Sequence, residues 1–376
     1  MSSQFRKNHL FHLLKTFETQ TLPLDVFLRI YLKQHKSIGS HDRKYLVETI
    51  YGLTRWKGLV DFFCTGDLSW EKRVSILETL SPEMHLDNTS IPLHNRISFP
   101  ENYFTYLTKE LGETQALNFC LESNYPAPIT IRANTLKISR EDLLQRLGDL
   151  FPCSAGHVSP CSIHFAHRAQ FFALPEFKEG LFEMQDEASQ IVASQVQAVP
   201  GDHVLDYCAG SGGKTLAIAP LMKGKGQFYL HDIRSQTLLE AKKRLKRAGV
   251  QNAQFIPSED PKKKRFRGRM DWVLVDAPCS GSGTLRRNPD MKWKFQNTDM
   301  EELTAKQRLI FEEALAFVKP GGHIVYATCS VLPAENNKQI DFFLENFPLK
   351  LIGTPFCSFP KKGEMDGFYA ATLQKY

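Results

Sequence analysis

Apolar residues in the first part of the chain recur every three to four positions, as Leu10, Leu13, Leu14 and Phe17 and again as Val26, Phe27, Ile30 and Tyr31. That spacing lines one face of an α-helix. Gly39, Ser40 and Asp42 interrupt it before a third helix, DRKYLVETIYGLTRWKGLVDFF. From Leu68 to Pro126 the pattern stays helical, but Pro82, Pro92 and Pro100 cut it into short pieces. At Pro128 the texture changes. ITIRANTLKISREDLLQRLGDL reads as strand, turn and helix, with Ser139 as N-cap and Asp142 in the first turn. IHFA and FFAL read as further strands, and MQDEASQIVASQVQAV as a helix that stops at Pro200 and Gly201.

Beyond Gly201, short apolar runs alternate with amphipathic stretches: strand HVLDYC, a glycine turn, a helix, strand QFYLHD, helix LLEAKKRLKRAG, strands AQFIP and DWVLVDA, helix LTAKQRLIFEEALAFV and strand HIVYATC. GFYAATLQK is a last strand-like run. This alternation predicts an α/β fold with a doubly wound, Rossmann-like parallel sheet. The expected division is a helical region over 1–65, a helical connector over 66–125, a small α+β domain over 126–200 and the α/β domain over 201–376.

A chain of 376 residues exceeds what one hydrophobic core usually organises, and its 42% hydrophobic content is ordinary for soluble protein. No run approaches the ~20 apolar residues of a membrane span, and MSSQFRKNHLFHLLKTFE scatters charges through its apolar positions, unlike a secretory leader. A cytoplasmic protein with no membrane partner is expected. The eight cysteines show no CxxC pair, which argues against a zinc site or a disulfide scaffold and for reduced thiols without metal. A net charge of +6 fits a polyanionic partner. Locally, PKKKRFRGR concentrates Lys262, Lys263, Lys264, Arg265, Arg267 and Arg269 as a phosphate-contacting loop would, and a solvated charged loop accounts for it equally well.

The candidate chemistry gathers where strands end. DWVLVDA delivers Asp276, with Pro278 and Cys279 just beyond, and HIVYATC delivers Cys329. Ligands in open α/β sheets bind outside the carboxyl ends of the strands, so two thiols are expected to face one crevice. DYCAGSGGKT leaves a strand, turns through Gly210, Gly212 and Gly213 and enters a helix, a turn that suits an anionic group. SGGKT also resembles the end of a P-loop, but that motif needs a glycine where Cys208 stands. A nucleoside-bearing cofactor instead needs an acid after the second strand for the ribose hydroxyls, and Asp232 is there. Glu259 and Asp260 are the candidates for an acid facing the adenine.

DYCAGSGGKT, LVDAPCSGSGTLRRNPDMKW, VYATCSVLPAENN and DGFYAATL together resemble the Sun-type RNA cytosine-5 methyltransferases, and they span most of 201–376. Weaker similarity runs upstream through LPEFKEGLFEMQDEAS and PENYFTYLTKELG to PAPITIRANTLK, and SHDRKYLVETIYGLTRW is similar to a NusB-like domain. Ser211 departs from the family, which usually has proline there.

The resemblance implies an S-adenosylmethionine methyltransferase domain, preceded by a small RNA-binding-type domain and a NusB-like region. The activity implied is 5-methylcytosine formation in RNA. Small-subunit (16S) ribosomal RNA is favoured over transfer RNA because of the helical N-terminal region, and a monomer is expected. Cysteine chemistry suits the reaction, because carbon 5 of cytosine becomes nucleophilic only after a thiolate adds at carbon 6. By the resemblance Cys329 attacks and Cys279 assists release. Asp276 meets the base edge, Lys214 lies near the base, and Cys208, Ala209, Gly210, Ser211, Gly212, Gly213, Lys214, Asp232 and Asp276 line the cofactor. Arg286, Arg287 and Trp293 are expected to support a base taken out of its stack. The competing classes are a P-loop ATPase and an RNA-binding protein with an inactive methyltransferase fold.

Overall fold

The structure, a computed structural model, describes residues 3–376 apart from the side chains of Ser3, Pro261 and Lys262, so Lys262 of the expected basic loop lies outside the described residues. Its contacts divide the chain into two units, Met1–Pro126 with Thr284–Asp299, and Ala127–Gly283 with Met300–Tyr376.

In the first unit the helices Ser3–Glu18, Leu24–Gln34, Ser40–Phe63 and Trp70–Thr79 close around Leu10, Leu13, Leu14, Phe27, Leu46, Ile50 and Leu53. The third of them is kinked at Trp56, whose φ and ψ of −105° and 18° leave the helical region. Pro82, Pro92 and Pro100 each stand at the start of a helical piece, where a missing N–H costs nothing. The stretch 284–299, which the sequence pattern assigns to the α/β domain, is anchored here by polar groups that have lost water. Lys292, 1% exposed, donates to Arg55 O at 2.8 Å and Asn124 Oδ1 at 2.6 Å and lies 4.5 Å from the Phe99 ring centroid. The Trp293 indole donates to Thr54 O at 2.7 Å, and Phe295 stacks on Tyr103 at 3.9 Å.

The second unit holds two sheets. In the smaller, β1 (Ile129–Ala133), β2 (Cys153–Ala155), β3 (Ser162–Phe165) and β4 (Phe182–Met184) run antiparallel in the order β2-β3-β1-β4. Ser139 caps the helix Arg140–Gly148 by accepting the Asp142 N–H at 3.0 Å. FFAL is not a strand. Phe171–Ala173 form a 3-10 turn, because Pro175 opens a short helix directly after it.

The larger sheet comprises β5 (His203–Asp206), β6 (Gln227–Asp232), β7 (Ala253–Pro257), β8 (Met270–Asp276), β9 (Val318–Thr328), β10 (Leu349–Cys357) and β11 (Tyr369–Lys375). Its order is β10-β11-β9-β8-β5-β6-β7, with β5 to β9 parallel, β11 antiparallel to β9 and β10 antiparallel to β11. Side chains alternate across it: Val204, Leu274 and Val325 pack on one face, and Leu205, Val273, Val275, Ile324 and Tyr326 on the other. Both faces are covered, which is why these strands read as unbroken apolar runs. The chain reverses its direction of winding between β5 and β8, which opens a crevice at their carboxyl ends. Among the described residues no helix is long and apolar enough to cross a membrane, and no group of His, Cys, Asp and Glu could hold a metal ion.

Burial pushes the Lys292 ammonium well below its ordinary range. Lys292→Ala, which leaves two buried acceptors without a donor and opens a cavity, is expected to cost about 3 kcal/mol in urea unfolding of the full chain. Lys292→Met, which keeps most of the volume and removes the desolvated charge, is expected to cost less.

Candidate active site

The glycine turn is held from several sides. Asp206 ends β5, and the helix Gly213–Met222 begins seven residues on. Between them Gly210 and Gly212 take φ of +51° and +76°, and a Cβ on Gly212 would stand 2.9 Å from Leu245 Cδ1. The Ala209 N–H donates to His231 O at 2.9 Å and the Gly210 N–H to Asp232 Oδ2 at 2.8 Å. Arg244 donates to Ser211 O at 3.0 Å and to its hydroxyl at 2.6 Å while pairing with Glu183 at 2.9 Å. Arg132 reaches Gly213 O at 3.1 Å. Ser211, standing where the resembled family has proline, is therefore restrained by an arginine instead of a ring.

The acids around this turn sit in different environments. Asp232 Oδ1 accepts the Arg234 N–H at 2.8 Å. Burial works against its charge, but the bonds from Arg234 and the Gly210 amide hold the carboxyl below its ordinary range. Asp206 is 1% exposed. Its Oδ2 accepts the Thr215 hydroxyl at 2.7 Å, its Oδ1 has no partner, and burial pushes it up to about 7. Burial, reinforced by Asp276, Asp206 and Asp232, also drives the Cys208 thiol far up. In the turn after β7, Glu259 is exposed and Asp260 half-buried.

Register brings the rest together. β8 lies parallel to β9 with Asp276 beside Ala327, so Cys279, three residues past the one, and Cys329, two past the other, emerge as neighbours. Their sulfurs are 3.3 Å apart. Lys214, 8% exposed, places Nζ 2.5 Å from Asp276 Oδ2. Burial alone would lower its ammonium, but the Asp276 carboxylate outweighs that and holds it above its ordinary value. The Cys279 thiol is pushed well up by its bond to Cys329, by burial, and by the nearby charges of Cys329 and Glu335. Gly283 and Gly367 close the loops behind the thiols. The Gly367 N–H donates to Gly283 O at 2.9 Å, a Cβ on Gly283 would collide with Gly367 O, and the Gly283 N–H donates to Cys329 O at 3.0 Å.

Several expectations change. Arg286 is 1% exposed and its carbonyl accepts from Arg55 at 3.0 Å, so its guanidinium is not presented to a base, while Trp293 is half-buried with its indole N–H donated to Thr54 O. Arg287 is half-buried in the same packed segment. Lys263 is turned inward. It donates to Tyr207 Oη at 2.8 Å and His231 Nε2 at 3.0 Å, while Tyr207 donates to Glu313 at 2.7 Å. His231 Nδ1 bonds the Tyr207 carbonyl at 2.8 Å, which fixes the proton on that nitrogen and leaves Nε2 to accept. Lys264, Arg265, Arg267 and Arg269 are exposed. Sequence reasoning assigned nothing to Glu335, fully buried beside both cysteine loops, and only its place in VYATCSVLPAENN pointed to it.

Known proteins share this architecture. The family model of the 16S rRNA methyltransferases RsmB/F matches residues 193–374, and the RsmF/B-like ferredoxin-like domain matches 99–170. The chain is 36% identical over 266 residues to ribosomal RNA small subunit methyltransferase B of Enterobacter sp. (strain 638), covering 67% of this chain and 61% of that relative. The chain thus spans about three fifths of the length of the curated relative it matches. The crystal structure of PH0851 aligns over 98% of both chains with a TM-score of 0.83 at 24% identity, a likeness of fold. A methyltransferase homolog protein from Pyrococcus horikoshii aligns over 79% of this chain and all of its own, with a TM-score of 0.67 and 29% identity.

Asp206 ties stability to pH. Between about 3.8 and about 7 the unfolded carboxyl is ionised while the folded one keeps its proton. Its contribution is therefore full below that window and lost as pH rises through it, on the order of 4 kcal/mol. Asp206→Asn is expected to flatten this part of the stability profile in urea titrations from pH 4 to 7.

Proposed function

The chain belongs to the RsmB/F methyltransferases, a family that works with S-adenosylmethionine, and on that premise we propose that it forms 5-methylcytosine in small-subunit ribosomal RNA through a covalent cysteine adduct. The observation that carries this reading is the pair of thiols, Cys279 and Cys329, 3.3 Å apart at neighbouring strand ends beside the Lys214–Asp276 pair.

The turn fits a nucleoside-bearing methyl donor. Gly210 and Gly212 turn the chain into a helix start, Asp232 stands at the end of β6 where ribose hydroxyls are met, and Asp206 keeps a buried oxygen without a partner. When bound, S-adenosylmethionine supplies an electrophilic methyl group on a sulfonium. The chain's own residues do the rest. Cys329 adds to carbon 6 of the cytosine through its sulfur, with the Lys214 ammonium within electrostatic reach of it. Cys279, whose sulfur lies against Cys329, is the helper and acts on carbon 5 as the thiolate. At the nitrogen-3 and amino edge Asp276 accepts a hydrogen bond from the amino group, and Lys214 keeps that carboxylate oriented and offsets the charge that develops on the ring. Cys279 then assists removal of the proton from carbon 5, after which the Cys329–carbon 6 bond breaks. The four exposed cations of 264–269 form the phosphate-contacting part of the basic loop, and Lys263 anchors it.

Cys279→Ala is expected to form the RNA adduct and release it slowly, giving a retarded band on denaturing gels with substrate RNA and S-adenosylmethionine. Cys329→Ala is expected to give neither adduct nor product. A retarded band for Cys329→Ala would reverse the roles, and methylation surviving both changes would remove the thiol mechanism.

Replacing Lys264, Arg265, Arg267 and Arg269 with glutamine is expected to flatten the salt dependence of RNA binding by about 0.7–0.9 in log–log slope for each phosphate that is no longer neutralised. Lys263→Gln should leave that slope unchanged and lower the unfolding midpoint instead. An unchanged slope in the fourfold variant would move the RNA path elsewhere.

A further inference from the structure

Glu335 is 0% exposed, and its carboxylate collects four hydrogen bonds from two loops and a helix. Oε1 accepts the Ser280 N–H at 2.8 Å and Gln307 Nε2 at 2.9 Å. Oε2 accepts the Ser280 hydroxyl at 2.5 Å and the Ser330 hydroxyl. None of these four donors is a cation. A carboxylate taken out of water and held by neutral donors is expensive, and its charge opposes ionisation of Cys279. Loop packing alone does not call for it, since Gly283, Cys329 and Gly367 already bind these loops through backbone bonds.

What the carboxylate does is specific in sequence terms. Ser280 directly follows Cys279, and Ser330 directly follows Cys329. One rigid planar group therefore grips the residue after each thiol. Gln307 extends the grip to Pro278 O at 3.1 Å, just before Cys279, and Tyr326 Oη fixes the Glu335 backbone by donating to its carbonyl at 2.8 Å. Ser282 joins the same network through Ser330 Oγ at 2.9 Å.

We propose that Glu335 is a positioning residue for the two thiols: by drawing Ser280 and Ser330 onto one buried carboxylate, it sets the sulfur–sulfur spacing on which a two-cysteine reaction depends. The proposal rests on the thiol reading above, in which Cys329 must reach carbon 6 while Cys279 reaches the proton on carbon 5. Each is a matter of a fraction of an ångström, and misplacement by about 1 Å costs about a hundredfold in rate.

The test reads the spacing without RNA or methyl donor. The full-length protein is treated with diamide, which takes an electron pair and two protons from two thiols and is reduced to the hydrazine as the disulfide forms. Joined peptides carrying Cys279 and Cys329 are followed by mass spectrometry. Because a disulfide forms only within narrow geometry, Glu335→Ala is expected to join them roughly tenfold more slowly than the parent, and the Ser280→Ala/Ser330→Ala double variant likewise. Glu335→Gln keeps the chain length and an oxygen for the Ser280 amide, and is expected to stay within about threefold of the parent. Circular dichroism checks each fold; if Glu335→Ala does not fold, the serine double variant carries the test. Parent-like joining in the folded variants overturns the proposal. With RNA and S-adenosylmethionine, the slow-joining variants are expected to lose about a hundredfold in kcat with KM for RNA unchanged. Slow joining in variants of a parent that methylates no cytosine would sink the functional reading and leave the positioning role standing.

Discussion

The placement of the two thiols depends on one strand pairing, the parallel register of β8 against β9. With Asp276 beside Ala327, the chain leaves both strands at the same height, and the loops that follow carry a cysteine each. Side-chain direction alternates along a strand, so a slip of one residue would turn Asp276 to the other face and separate the sulfurs. The register is held because Val273 and Val275 face one covered layer with Ile324 and Tyr326, while Trp272 and Leu274 face the other with Val325 and Ala327. The hydrophobic packing of both faces thus fixes the position of groups that are themselves polar.

Those polar groups have little water, and the fold treats them in different ways. Lys214 is compensated by Asp276, and its charge is kept. Asp206 has only a threonine hydroxyl for one oxygen, and its proton is retained toward neutral pH. Glu335 is satisfied by four neutral donors, and Lys292 by two acceptors and an aromatic ring. A buried charge is tolerated when its hydrogen bonds are complete, and each such arrangement fixes the geometry of the segments that supply them. In the cysteine loops that geometry is the distance between two thiols. In the helical unit it is the anchoring of 284–299 by Lys292 and Trp293.

The basic loop shows how one composition serves two purposes. Lys263 is spent on Tyr207 and His231, the residues just after Asp206 and just before Asp232, so the loop is tied to the strands that carry the glycine turn. Its neighbours Lys264, Arg265, Arg267 and Arg269 remain exposed. In sequence all of these cations look alike, because a run of lysine and arginine records charge and not direction.

By itself the sequence determined the elements and their type. Period-two burial on both faces made the strands of the α/β part unbroken apolar runs, the glycines marked a turn that needs positive φ at 210 and 212, and Asp206, Asp232 and Asp276 each marked the end of such a run. It also identified both cysteines, since each follows such a run. It misread FFAL, where local apolar composition was overruled by Pro175, and it took Arg286 as presented when it is packed away. Tertiary structure alone decided the 3.3 Å between Cys279 and Cys329, the pairing of Lys214 with Asp276 and the burial of Glu335 between Ser280 and Ser330. These join residues 50, 62 and 55 positions apart in Cys279–Cys329, Lys214–Asp276 and Ser280–Glu335. No local pattern encodes such a distance, because it is set by strand order and register, which emerge only when both faces of the sheet are packed.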